Sequence, residues 1–188
     1  MKSSVMHVRS WLFPVIVILC LVVAWPVRAE RAGVDLGLEL QVYPTGVIPG
    51  LRAEWSFTRT QSLLFRLGYQ RIDHQDFGVQ DEEAGEGAGL SLGYRWYRHL
   101  NRNGWSLSAR TDLWFNTIDW EDAGGDGGTT RVTVLQPTVG LGYSVLYGPD
   151  FVLTPTLSYG REINIETDGA DVGEGEIWLL GLEWGVRF

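Results

Sequence analysis

Apolar and polar side chains alternate with a period of two in eight separate segments of this 188-residue chain. The last segment is the most regular. Phe188, Val186, Trp184, Leu182, Leu180 and Trp178 share one face, and Arg187, Gly185, Glu183 and Gly181 share the other. Successive side chains of a strand point to opposite sides, so each segment has one apolar face and one small or charged face. The first segment sets Val34, Leu36, Leu38, Leu40 and Val42 against Asp35, Gly37, Glu39 and Gln41. The second sets Leu51, Ala53, Trp55 and Phe57 against Arg52 and Glu54, and the third Leu63, Phe65, Leu67 and Tyr69 against Leu64, Arg66 and Gln70. Leu90, Leu92, Tyr94 and Trp96 oppose Arg95 in the fourth, and Trp105, Leu107, Ala109, Leu113 and Phe115 oppose Arg110 and Asp112 in the fifth. Val139, Leu141, Tyr143 and Val145 form the sixth apolar set, and Phe151, Leu153, Leu157 and Tyr159 the seventh, the latter opposite Thr154, Thr156 and Glu162.

The connections alternate as well. Residues 58–61, 98–104 and 147–150 read as short turns, 72–87, 117–130 and 164–176 as long loops, and 43–49 as a short to moderate link. Short turns at one end and long loops at the other, with an even strand number, predict an all-β, eight-stranded antiparallel up-and-down transmembrane barrel. Soluble ligand-binding barrels turn the apolar face inward; here the charges share the face that a barrel would enclose. The aromatics agree with that orientation. Outward rings gather near the short-turn ends (Trp55, Trp96, Trp105, Tyr143, Phe151, Trp184) and near the long-loop ends (Tyr69, Phe115, Tyr159, Trp178), with aliphatic residues between. Two such rows suit the two interfaces of a bilayer. Pro137 and Pro155 fall on the outward face, and each removes a ladder donor, so a bulge or a weakened ladder is expected there.

Ahead of the first segment, Lys2 and Arg9 precede an apolar run from Trp11 to Trp25, followed by Val27-Arg28-Ala29. That order is a secretory signal peptide over residues 1–29, leaving a barrel domain over 30–188. The single cysteine, Cys20, departs with it, so the mature chain has no thiol chemistry. Lys2, Arg9 and Arg28 leave too, while all 23 acids stay, and the mature net charge is −11. Such an acidic exported chain lacks the basic footprint of a nucleic-acid binder.

The alternation over residues 33–188, closed by the C-terminal aromatic, resembles the small eight-stranded outer-membrane barrels, the OmpA-like and OmpX-like proteins. The resemblance implies a monomer in the bacterial outer membrane, with both termini periplasmic and the long acidic loops extracellular. The bilayer and lipopolysaccharide would be its partners. It also implies recognition of Trp184, Val186 and Phe188 by the barrel assembly machinery.

The inward face carries Asp35, Glu39, Glu54, Asp112, Glu162 and Glu183 against Arg52, Arg66, Arg95, Arg110 and Arg187. Ions in a narrow lumen are expected to pair, because an isolated one is costly to desolvate. Such a network is either a static plug or an ion gate. Fifteen acids and no Lys or Arg occupy the three long loops; they read as a solvated fringe, or as a weak site for Ca²⁺ or Mg²⁺. No complete metal motif is present, and no cofactor is expected. Two histidines survive processing. His99 lies in a short turn and His74 stands between Asp73 and Asp76, with no His-x-Ser pair of the lipid A deacylase kind, so no catalytic residue is assigned. Phe77, Val79, Ile118 and Trp120 are the loop residues that would serve adhesion. The expected role is structural, within the envelope.

Overall fold

The structure, a computed structural model, describes residues 33–75, 82–122, 124–173 and 175–188. The expectations for residues 1–29, Phe77, Val79 and the His74 side chain lie outside the described residues.

Eight strands follow one another round a closed barrel: β1 (Gly33–Tyr43), β2 (Gly46–Ser56), β3 (Gln61–Gln75), β4 (Glu82–Tyr97), β5 (Gly104–Glu121), β6 (Gly127–Tyr147), β7 (Phe151–Asp168) and β8 (Gly175–Arg187). Each pairs antiparallel with its neighbour in sequence, and β8 closes on β1 through Leu36↔Val186 and Leu40↔Leu182. The last residue completes the seam, Phe188 N–H donating to the Val34 carbonyl at 2.8 Å. Followed along the ladders, a path leaving Gly33 returns to β1 beside Tyr43, ten residues further on. A stagger of this kind tilts the strands by roughly 35–45° and leaves an interior that side chains can fill.

The face assignment follows from the alternation. Leu38, Leu51, Leu67, Leu90 and Leu113 form one continuous outward row across five strands. Leu51 is 60% exposed, Leu67 65% and Val139 61%. Large apolar side chains this open on every strand cannot be a core turned inside a soluble domain. At the end that holds the termini, the outward rings meet, Trp105 lying edge-on to Tyr143 at 5.0 Å. Tyr159 and Trp178 meet toward the opposite end, their rings tilted by 44° with centroids 4.5 Å apart.

The long loops are where the structure departs from the pattern. Most of 72–87, 117–130 and 164–176 is strand: β3–β4 pairing continues to Gln75↔Glu82, and β5–β6 pairing to Glu121↔Gly127. Likewise 43–49 reduces to Pro44 and Thr45, with Val47 and Ile48 already on β2. These stretches read as loops because acids, glycines and prolines interrupt the apolar alternation. The ladder itself needs only backbone groups, and beyond the apolar belt the outward positions are free to be polar.

Both outward prolines mark breaks on the β6–β7 side. Pairing stops at Leu135↔Ile163 and resumes at Thr138↔Gly160, then stops at Gly142↔Thr156 and resumes at Val145↔Leu153. The bulge itself falls slightly higher, between Thr133 and Val134. By contrast, β4–β5 pairing is unbroken from Glu82↔Glu121 to Tyr97↔Ser106. Amides at 143–144 and 161–162 are therefore expected to exchange with deuterium well before those of the β4–β5 ladder in the folded, lipid- or micelle-bound protein. Equal protection along both ladders, read by mass spectrometry, would contradict this.

Candidate functional site in the barrel interior

The interior is built in tiers. Nearest the termini, Asp35 accepts from Arg187 Nη2 at 3.0 Å and faces Arg102 Nη1 at 3.3 Å. Arg102 is the one residue of this network that lies in a turn. It has a positive φ of 55°, which folds its side chain back under the barrel, where it also donates to Ser56 Oγ. The next tier joins two carboxylates and two guanidinia. Arg95 is bidentate to Glu183 at 2.5 and 2.8 Å and reaches Glu54 at 3.2 Å. Arg52 pairs with Glu54 and lies 3.4 Å from Glu183. Tyr97 completes the coordination of Glu54, its hydroxyl donating at 2.6 Å.

A third tier lies deeper. Arg110 donates to Glu39 at 3.0 Å and faces Asp112 Oδ1 at 3.1 Å; Arg66 donates to Asp112 at 2.8 Å and lies 3.6 Å from Glu39. Gln41 Oε1 accepts from both arginines, and Ser91 donates to Asp112. The planar guanidinium fork makes these multiple contacts possible where an ammonium would serve one acceptor at a time. Charged groups with most of their donors and acceptors matched in this way offset much of the desolvation that burial imposes.

Two differences from the sequence-based expectation follow. Among the described residues the ions of these tiers number five acids and six arginines, because Arg102 joins and Glu162 does not. Among the described residues, none of the ion pairs includes Glu162. It stands higher, lining a cavity with Gln70 and Glu83. Parity along β7 identified it as inward but said nothing of its level.

Above the ions lies Trp114, fully buried, its ring 5.3 Å from the Arg66 guanidinium carbon and its Nε1 donating to Gln136 at 2.9 Å. Gly68 and Gly89 are cross-strand partners beneath this indole. A Cβ on Gly89 would overlap the ring outright, and one on Gly68 would come within 2.9 Å of it. The paired glycines therefore leave the flat patch of backbone that the ring covers.

Past Trp114 an apolar cluster fills much of the lumen, with Gln70, Glu83 and Asn116 buried beside it. Ile48, Ile72, Ile118, Val132, Val134, Ile177 and Leu179 belong to it, with Tyr43 and Trp120 at its sides. Val172, from the turn between β7 and β8, fills the mouth with no exposed surface. Its turn is held by Asn164 donating to the Val172 carbonyl at 2.8 Å, Thr130 donating to the Ala170 carbonyl at 3.1 Å, and Gly173 N–H donating to Glu83 at 3.1 Å. Ile118 and Glu83 therefore leave the roles read for them: both belong to the interior, and Trp120 is only partly exposed. The signal that could have placed them is parity, since both continue the inward register of their strands. Sequence reasoning also missed Tyr97, Arg102 and Trp114.

Small cavities lie in the interior, among them one of about 20 Å³ beside Glu83 and Glu162 and one of about 10 Å³ beside Glu39 and Arg110. Each has room for about one water molecule or one bare ion. Among the described residues, no group of three His, Cys, Asp or Glu side chains is arranged to hold a metal.

No family model matches the chain, and no curated protein matches it. Solved structures do. The N-terminal β-barrel domain of Pseudomonas aeruginosa OprF is similar at 19% identity and a TM-score of 0.51, over 84% of this chain and 100% of that one. A major outer membrane protein from Thermus thermophilus is similar at 14% identity and a TM-score of 0.55, over 85% of this chain and 100% of that one. The chain has the fold of the small eight-stranded outer-membrane barrels.

Proposed function

We propose that this protein is an integral, monomeric outer-membrane barrel with a structural, non-conducting role in the envelope. The observation that carries the reading is the continuous belt of open aliphatic side chains around an interior filled with matched ions, a buried indole and an apolar upper section. A ribbon closed into a ring, with no open strand edge, is the one β arrangement that hydrocarbon tolerates. The termini then face the periplasm, and the strand extensions beyond the upper ring row face outward into the lipopolysaccharide layer. Arg71, Arg131 and Arg161 are exposed near that outer rim and suit its phosphates. Trp184, Val186 and Phe188 are read as the recognition mark for the assembly machinery. No catalytic step is assigned to any residue.

In planar bilayers the wild-type protein is expected to show no ohmic steps. Arg110→Ala is expected to stay silent as well, because Trp114 and the apolar section close the lumen above that position. Steady conductance of the wild type would overturn the structural reading in favour of a pore. Conductance of the variant alone would mean that the ions hold the seal.

A further inference from the structure

Two stretches on opposite sides of the barrel repeat one pattern. Leu67-Gly68-Tyr69-Gln70-Arg71 on β3 and Leu157-Ser158-Tyr159-Gly160-Arg161 on β7 both read Leu-x-Tyr-x-Arg. Alternation puts Leu, Tyr and Arg of each stretch on the outward side, with the arginine nearest the outer end. An acid stands opposite each arginine on the next strand, as Arg71↔Glu86 and Arg161↔Glu176. All four charged side chains are exposed. Among the described residues, neither arginine side chain takes part in an ion pair.

The two arginines share nearly one level. Ladder rows climb from β1 round to β8, gaining ten residues over the full circuit. The row of Arg161, one step on from Thr138↔Gly160, passes Pro137, Thr111 and Leu92 and meets β3 at Phe65, six residues short of Arg71. It climbs half of those ten residues over the four strands between, so the two differ in height by about one residue. Arg131 shares the row of Arg71 through Glu86 and Thr117, three strands further on, and so stands farther out. It faces Asp168, but the outward residue two below it is Thr133 and not a tyrosine.

Tyr69 and Tyr159 belong to the outer ring row, so each arginine and its acid lie at headgroup level, above the outward Leu67 and Leu157. Side chains directly opposite on a ladder start about 5 Å apart at their Cβ atoms. A cation and an anion held at that spacing are the electrostatic mirror of a phosphate and an ammonium joined by two carbons. The guanidinium fork takes the phosphate through two parallel hydrogen bonds, and the carboxylate takes the ammonium. A headgroup with a phosphate alone leaves the acid facing an anion. We propose that Arg71 with Glu86, and Arg161 with Glu176, each seat the phosphoethanolamine headgroup of one membrane lipid, whose acyl chains run down the wall past the tyrosine and leucine of that stretch. The two seats rest on the membrane reading above, which places this level at the lipid surface.

The test mixes the folded mature chain in maltoside micelles with phosphatidylethanolamine or with phosphatidylglycerol of the same acyl chains, and counts retained lipid by native mass spectrometry. Two phosphatidylethanolamines per barrel are expected, with phosphatidylglycerol held several-fold more weakly. Arg71→Ala and Arg161→Ala should each remove one bound lipid, and the double variant both. Glu86→Gln with Glu176→Gln should abolish the preference for phosphatidylethanolamine. Arg131→Ala should still retain two, and free phosphoethanolamine at the same concentration should displace neither. Equal retention of the two lipids overturns the proposal, as does a count that the double arginine variant leaves unchanged, that Arg131→Ala lowers or that the free headgroup lowers. A chain that inserts into vesicles yet retains no phosphatidylethanolamine loses the seats alone; a chain that fails to insert loses the membrane reading as well.

Discussion

Arg95→Ala is expected to destabilise the barrel by about 3–5 kcal/mol, the cost of leaving buried charges without their partner. Arg95 is bidentate to Glu183 and also reaches Glu54, so its loss strips cationic contacts from both carboxylates at once. Arg52 remains beside them, but it already serves the same pair from the other side. Urea unfolding in micelles, followed by tryptophan emission, measures the change. Arg98→Ala, in the exposed turn of the same chain, serves as the control and should stay within about 0.5 kcal/mol of wild type. The double variant Arg95→Ala with Glu183→Ala should cost less than the two single changes added together, because residues in one network do not act independently. An Arg95→Ala barrel within about 1 kcal/mol of wild type would mean that water reaches these ions and screens them.

The second large effect concerns the outer face. Leu51→Arg should cost about 2–4 kcal/mol in a bilayer, the range for a cation on the lipid side near the midplane. Leu51 lies mid-row, and its direct cross-strand partners, Leu38 and Leu67, are both aliphatic. The same change at Leu100, 65% exposed in the turn before β5, should be close to neutral. Two side chains of similar exposure would thus respond in opposite ways, which no water-soluble fold explains. Equal tolerance at both positions, measured by unfolding from lipid vesicles, would remove the hydrocarbon belt and the membrane reading with it.

The inner and outer membership of nearly every strand residue was legible before the fold was known. Parity alone put Glu39, Arg52, Arg66, Arg110 and Glu183 on one side and the leucines on the other. It worked best where apolar residues alternate without interruption, as in 178–188. It failed at the strand ends, where Glu83, Ile118 and Trp120 looked like loop residues because their outward neighbours are acids, alanine or threonine. Lipid demands apolar partners only over the thickness of the bilayer, so the pattern fades there although the ladder continues. Arg102 was out of reach for another reason, since parity has no meaning in a turn.

What the chain determined by itself is therefore the wall: which side chains face lipid, how many strands there are, and the charges that must lie within. Only the closed barrel decided who meets whom. Its stagger brings residues of different strand positions to one level, so that Arg95 finds Glu183 across 88 residues of chain and Arg110 finds Glu39 across 71. The same geometry lifts Glu162 away from the arginines and into the company of Glu83. Local sequence encodes the direction of a side chain, because that depends on backbone alternation; its height in the lumen depends on the registers of all eight ladders together.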